Sequence, residues 1–253
     1  MKKYLSTAGA AALASMLALA GSAHATLVDF AEVSGANLSW SQSAGTLKEV
    51  NAPGKGYDLI GFKFDTTALQ GLGTLTAGLV FSGTATSNAI TAAGLGGTEV
   101  GQPLLSGSFT ITYQGAANTT IGALTIHPGD TLLTGAFTGG DLGGLVGQKQ
   151  AAFELDSGAL APLLGSVTFT SPYETFGNAN ETAISLASSG INNKLVYSAN
   201  HKLNSFTGTF SGNFAADPGP TAAIPEPASW AMMLVGFGAV GAFARRRKLA
   251  AAA

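Results

Sequence analysis

The stretch Phe206-Thr207-Gly208-Thr209-Phe210-Ser211-Gly212-Asn213-Phe214 decides the fold of this 253-residue chain. Phenylalanine and glycine occupy every second position, and threonine, serine and asparagine occupy the positions between them. Successive side chains of a strand point to opposite faces, so one face of this segment is apolar and the other is polar. A period of two with threonine on the polar face is typical of a half-buried β-strand.

The same alternation recurs between residues 26 and 217. It predicts strands at 60–64, 75–81, 109–113 and 167–169, with further candidates at 38–41, 123–127, 151–155 and 194–198. Turn signals rich in glycine separate these segments, at 51–54, 94–97, 128–130 and 139–141. We therefore predict one all-β domain over residues 26–217, a single antiparallel β-sandwich or jelly roll. Short helices are expected only at 159–164 and 181–188.

A solenoid is the alternative fold, because Phe-x-Gly pieces recur at Phe81, Phe137 and Phe206. A β-helix or a calcium-binding nonapeptide array repeats with a fixed period. The spacing of these pieces is irregular, which favours the sandwich.

Composition removes several classes of function. The chain has no cysteine, which excludes disulfides, thiol catalysis and cysteine-based zinc sites. Residues 26–224 contain six lysines, no arginine and thirteen acidic residues, a net charge of 6 − 13 = −7. Nucleic-acid binding needs clustered lysine and arginine, so no nucleic-acid partner is predicted.

The N-terminus has the three regions of a secretory signal peptide. Lys2 and Lys3 precede an apolar stretch from Ala8 to Ala20. Ala23-His24-Ala25 then supplies the small-x-small pattern that signal peptidase cleaves. Residues 1–25 are therefore predicted to be removed during export.

The C-terminus combines a short motif, an apolar segment and a basic cluster. Pro225-Glu226-Pro227 follows a linker at 218–224 and precedes Trp230. Counted from Pro227, the uncharged stretch to Ala244 gives roughly 27 Å of helix, close to the ~30 Å apolar core of a bilayer. We predict a transmembrane helix at 228–244 and a basic stop at 245–248, followed by a tail at 249–253. Basic residues stay cytoplasmic, which leaves the Pro-Glu-Pro motif on the outer side of the inner membrane.

These features resemble the PEP-CTERM sorting signal, in its variant with Trp-Ala after the Pro-Glu-Pro. The resemblance covers only about residues 224–248: Pro225, Glu226, Pro227, Trp230-Ala231, and the arginines Arg245, Arg246 and Arg247. It implies a Gram-negative source and cleavage near the Pro-Glu-Pro by an exosortase, a membrane-embedded cysteine enzyme. It further implies release or transfer of the passenger to the cell surface, or to the exopolysaccharide matrix of a biofilm.

Catalytic motifs are absent from the sequence. It contains no H-E-x-x-H, G-x-S-x-G, S-x-x-K or P-loop pattern, and no G-x-G-x-x-G that follows a predicted strand and opens a helix, as a dinucleotide-binding site requires. His127 precedes a Pro-Gly turn and His201 lies in a polar stretch, so both are expected to be structural or solvated. Glu154 and Asp156 lie two residues apart on one strand face, where they can be a glycosidase acid–base pair, calcium ligands or simply an exposed face. Glu174 and Glu181 are isolated further candidates. We predict no catalytic residue and no cofactor.

Calcium is the one ligand for which the sequence offers candidates. Asp65, Asp130 and Asp141 are predicted to lie in turns, where carboxylate oxygens can bind Ca²⁺. Hydrogen bonding of a turn aspartate to its own backbone explains the same pattern.

Together these features predict a non-enzymatic, exported protein that is tethered briefly in the inner membrane and then displayed at the surface or in the matrix. Its predicted partners are signal peptidase, an exosortase and exopolysaccharide, with a structural or adhesive role. Two alternatives stay open: a secreted carbohydrate-active enzyme, and a permanently anchored membrane protein.

Overall fold

A computed structural model describes residues 27–85, 87–94, 97–104, 106–155, 165–176, 182–198 and 201–216. Four predicted segments lie outside these residues: the signal peptide at 1–25, the helix at 159–164, the linker at 218–224 and the whole sorting segment. The fold therefore concerns the predicted exported domain alone.

The described residues form fifteen strands and one short 3-10 turn, Gln70–Leu72. The strands are β1 (Val28–Ser41), β2 (Thr46–Glu49), β3 (Asp58–Phe64), β4 (Leu75–Thr84), β5 (Ile90–Gly94), β6 (Gly97–Pro103), β7 (Ser106–Tyr113), β8 (Thr119–Ile121), β9 (Leu124–Ile126), β10 (Thr131–Thr138), β11 (Asp141–Leu145), β12 (Ala151–Glu154), β13 (Ser166–Thr170), β14 (Thr182–Ser188) and β15 (Phe206–Ala216).

Thirteen of these strands hydrogen-bond into one antiparallel sheet. Its order is β13-β10-β7-β4-β2-β1-β15-β14-β12-β11-β6-β5, and β3 pairs with both β1 and β4. Strands β8 and β9 form a separate hairpin. The all-β, antiparallel prediction is confirmed. The thirteen strands, however, form one continuous sheet rather than the two separate sheets of a sandwich.

The sheet curls so that its two halves face each other across one core. The Phe81 and Phe137 rings, from β4 and β10, lie 5.6 and 5.3 Å from the Phe153 ring of β12 on the other side. Thr182 at the start of β14 donates a hydrogen bond to the Val167 carbonyl of β13. Because these strands are far apart in the sheet order, the contacts require the sheet to fold over on itself.

The deciding segment behaves as its pattern predicts. In β15, Phe206, Phe210 and Phe214 are buried, and Thr207, Thr209, Ser211 and Asn213 are exposed. Burying a phenylalanine side chain contributes about 1.5–3 kcal/mol, so this face supplies a substantial part of the core.

Two local predictions are wrong. Residues 182–188 form strand β14 rather than a helix, because Ile184, Leu186 and Ser188 alternate with exposed residues and the strand pairs on both sides. Residues 194–198 form no strand; only an isolated bridge joins Tyr197 to Leu203. Here the chain folds into an irregular loop whose backbone bonds are made with Asn204 and Lys202.

Among the described residues, no helix is long and apolar enough to cross a membrane. The predicted helix at 228–244 lies outside them.

Candidate functional site

The first and last strands of the domain bring its two chain ends together. In the register of β1 and β15, Val28 lies opposite Ala216 and Trp40 lies opposite Phe206. We call the end of the sheet at Val28 and Ala216 the tail end, and the end at Trp40 and Phe206 the distal end. Along β1 the two are about 40 Å apart, at ~3.3 Å per residue.

The predicted sorting segment continues from the tail end. The residues predicted to act in sorting and export lie outside the described residues. They are Pro225, Glu226, Pro227 and Trp230 of the sorting motif, Arg245, Arg246 and Arg247 of the basic stop, and Ala23 and Ala25 of the signal-peptide cleavage site. Ala216 closes β15, and the Pro-Glu-Pro motif begins nine residues later. Nine residues span at most about 32 Å, so cleavage at the motif would leave the sheet intact.

Asp65 and Asp130, two of the calcium candidates, are hydrogen-bonded to nearby protein groups. The Asp65 carboxylate lies 2.5 Å from the Lys63 ammonium, and this bond raises the pKa of Lys63. Asp130 accepts hydrogen bonds from the backbone N–H of His127 at 2.7 Å and from the Tyr173 hydroxyl at 3.2 Å. The bond from His127 is the main cause of the lowered pKa of Asp130. Throughout the described ranges, no three histidine, aspartate or glutamate side chains are grouped as metal ligands would be.

Asp141, the third calcium candidate, is not a turn residue. It is the first residue of β11 and lies opposite Glu154 on β12. The Asp141 side chain is mostly buried, and its Oδ1 atom has no hydrogen-bond partner among the described residues. Burial raises its pKa to about 6, and the charge of Glu154 adds to the increase. At neutral pH this carboxyl group is therefore much closer to protonation than an exposed aspartate.

The structure brings Glu154 together with Asp141, a pair that the sequence spacing did not suggest. Asp156 lies outside the described residues, whereas the cross-strand neighbour of Glu154 is thirteen positions away in sequence. Alternation places two residues on one strand face but does not say which strands pair. The glycine turn at 139–141 was the only signal at Asp141, and it pointed to a loop.

The two histidines of the described domain, His127 and His201, each contact a nearby side chain. His127 is exposed and its Nδ1 atom lies 3.4 Å from the Asp130 carboxylate, at the predicted turn. His201 has a backbone φ of +55° and its Nδ1 atom lies 2.5 Å from the Tyr197 hydroxyl. No sequence pattern predicts the contact between His201 and Tyr197, because it is made inside an irregular loop.

A shallow groove of about 750 Å³ crosses the outer face of β11, β12, β14 and β15. Its floor consists of small residues such as Gly143, Ala152, Ala187 and Ser211. No ionisable or aromatic side chain lines it. The groove therefore provides neither an acid and a base for catalysis nor a ring for stacking on a sugar.

Comparison with known proteins identifies one segment of the chain. No curated protein and no solved structure matches the chain. Residues 223–248 match the PEP-CTERM protein-sorting motif. The match includes the Pro-Glu-Pro, the apolar stretch and the arginines on which the sequence-based resemblance rested. This chain therefore carries a PEP-CTERM protein-sorting motif at its C-terminal end, which marks an exported protein that passes through a transient membrane-anchored stage and is targeted to an exosortase.

Proposed function

We propose that the domain at 26–217 is a non-enzymatic passenger with a structural or adhesive role at the cell surface or in the extracellular matrix, where it contacts exopolysaccharide. An exosortase cuts the chain near Pro225-Glu226-Pro227 after the C-terminal segment has held it in the inner membrane. The sorting motif at 223–248 is the observation that carries this proposal.

The geometry of the domain supports delivery by this route. Both chain ends leave the sheet at the tail end, where Val28 and Ala216 are paired. Removal of the signal peptide and of the sorting segment therefore takes place outside the thirteen-stranded sheet. The rest of the molecule extends away from the attachment point and is free to meet a partner.

The described side chains also favour a passive role. The groove over β11, β12, β14 and β15 lacks ionisable groups, and the side chains of His127 and His201 contact Asp130 and Tyr197. A sheet with threonine and serine on its outer face provides a polar surface.

The intact mass of the exported protein tests the proposal. In cells that contain an exosortase, we expect a mature form that begins at Thr26 and ends near residue 225. In matched cells from which the exosortase has been deleted, the mass should include residues 226–253. A mature protein that keeps Arg245 to Lys248 in the presence of the enzyme would establish the permanently anchored alternative instead.

One observation favours a second function, that of a carbohydrate-active enzyme. Asp141 and Glu154 face each other on adjacent strands, and the raised pKa of Asp141 suits a general acid beside a second carboxyl group. Release of sugars by the exported protein would test it. If the pair is catalytic, Asp141→Asn and Glu154→Gln should each abolish release, while Asp65→Asn should leave it unchanged. Absence of release from a panel of neutral and acidic glycans would favour the passive role.

A further inference from the structure

Charge is unevenly distributed along the long axis of the sheet. Seven of the ten described acidic residues lie in the tail half: Asp29, Glu32, Asp65, Asp130, Asp141, Glu154 and Glu174. Lys63 is the lysine of that half, and it pairs with Asp65 and Glu32. The other described lysines lie towards the distal end, so a protein of net negative charge has one end with a local excess of cations.

Three of these lysines are held around one segment, residues 189–198 and 201–205, which we call the distal loop. The backbone of Leu195 bonds to Gln148, and that of Ile191 bonds to Lys149, so the loop that carries Lys194 packs against the segment that carries Lys149. The ammonium of Lys202 extends over the turn at Gly45, next to the end of β1. Lys149 and Lys194 are exposed and Lys202 is half-buried.

These lysines have no acidic partner in the described parts of the chain, where the ion pairs involve Lys63 and His127 instead. Two of the three acidic residues of the distal half are already hydrogen-bonded. Asp58 is buried and accepts bonds from Asn37, and Glu49 accepts one from the backbone N–H of Phe81. Because the ammonium groups of the distal loop are not neutralised, they are available to an external anion.

The same loop exposes apolar surface. Val196 is 47% exposed and Tyr197 is 36% exposed, and Val50 and Val146 are exposed on neighbouring turns. The Tyr197 hydroxyl is bonded to His201, which fixes the ring at the surface. A fixed aromatic ring next to cations suits a ligand that is anionic and also has apolar C–H faces.

We propose that Lys149, Lys194, Lys202 and Tyr197 form a binding surface for an anionic polysaccharide. The carboxylates of uronic acid residues pair with the ammonium groups, and the C–H face of a sugar ring packs on Tyr197. The position of the surface supports this ligand, since the distal end points away from the place where the sorting segment leaves the domain. This inference rests on the proposed function, because it assumes that the domain is delivered to the matrix.

The test uses the exported protein recovered from cells, with alginate as an acidic probe and dextran as a neutral one. We expect retention on immobilised alginate but not on dextran, and loss of retention in high salt, which screens exposed charges. A Lys149→Gln, Lys194→Gln, Lys202→Gln triple variant should bind alginate at least about tenfold more weakly, given roughly two- to fivefold for each exposed ion pair.

Matched variants separate this surface from a general effect of charge. The triple substitution of the same lysines by arginine should keep binding, and Tyr197→Ala should weaken it. Lys63→Gln changes the net charge as much as Lys194→Gln but lies at the tail end, and it should have no effect. Far-ultraviolet circular dichroism and thermal unfolding confirm that each variant is folded.

Several results would overturn the inference. The first two are a folded wild type that does not bind alginate and one that binds alginate and dextran equally. The third is a triple glutamine variant that binds alginate as well as the wild type does. The fourth is stronger retention of the protein by vesicles containing phosphatidylglycerol than by alginate. The C-terminal mass of the same protein sample reports exosortase cleavage separately. A correctly cleaved protein that ignores alginate would refute this binding surface while leaving the delivery route in place.

Discussion

Phe109 of β7 and Phe214 of β15 stack with 5.2 Å between their ring centroids, although three strands separate β7 from β15 in the order of the sheet. Phe169 of β13 packs edge-on against Phe214 at 5.9 Å. These contacts join the two halves of the curled sheet. Together with the contacts of Phe81 and Phe137 with Phe153, they hold the two halves against each other across the core.

Phe214→Ala should therefore be among the most damaging single substitutions. We expect it to lower the free energy of unfolding by about 3–5 kcal/mol, the usual cost of deleting a buried phenylalanine ring. Val80→Ala is the control, because Val80 is 45% exposed and its truncation should cost well under about 1 kcal/mol. Urea unfolding of the exported protein measures both. Equal losses in the two variants would show that the ring cluster does not hold the halves together.

Gly212 allows β14 and β15 to approach closely. A Cβ atom at this position would lie 1.8 Å from the carbonyl oxygen of Ser185, whereas one at Gly190 would meet nothing within 4 Å. Gly212→Ala should force the strands apart and cost several kcal/mol, roughly the scale of overpacking a core. Gly190→Ala should change stability by less than about 1 kcal/mol. Thermal unfolding distinguishes them, and a Gly212→Ala protein as stable as the wild type would contradict this account of the packing.

The alternation of side chains was sufficient to predict where many strands lie. It placed Phe206, Phe210 and Phe214 on the buried face of β15, and the structure confirms that placement. It did not identify β14, because serine and alanine at 185–188 obscured the alternation of Ile184 and Leu186. A strand that pairs on both sides needs less intrinsic preference than one at an edge, since its neighbours supply the hydrogen bonds.

Pairing between strands could not be predicted, and the functional candidates depend on it. Asp141 acquires its raised pKa from burial and from Glu154, and both result from the pairing of β11 with β12. Lys149 and Lys194 likewise come together through backbone bonds of an irregular loop. Side-chain periodicity contains no information about such contacts. The sorting motif, by contrast, is a local pattern that needs no tertiary structure to be recognised.

Asp141→Asn should change the pH dependence of stability. The pKa of Asp141 is raised from 3.8 to about 6 in the folded protein, so the folded state binds more protons than the unfolded state between these values. The wild type therefore loses stability as the pH rises from about 4 through 6, by up to ~3 kcal/mol. Asparagine cannot ionise and avoids this loss.

Chemical denaturation at pH 4 and at pH 8 checks this prediction. The asparagine variant should be about as stable as the wild type at pH 4 and more stable by ~2–3 kcal/mol at pH 8. Asp65→Asn is the control, because Asp65 forms an ion pair with Lys63 at the surface rather than being buried beside a second carboxylate. A variant that gains nothing at pH 8 would show that Asp141 ionises without cost in the folded domain.

The arginines at 245–247 should determine whether the chain pauses in the membrane. Placing arginine at the centre of the bilayer costs about 2.5–3.5 kcal/mol per residue on insertion scales, so three in succession oppose complete export of the tail. The apolar segment before them is barely long enough to span the bilayer, which makes the basic cluster the main barrier to export of the tail.

Substituting all three arginines by glutamine should let part of the protein escape uncut, detected in the medium as an intact mass that includes residues 226–253. Substituting all three by lysine preserves the charge and should preserve cleavage. If the glutamine variant were cleaved as completely as the wild type, the apolar segment alone would hold the intermediate and the basic cluster would have no part in retention.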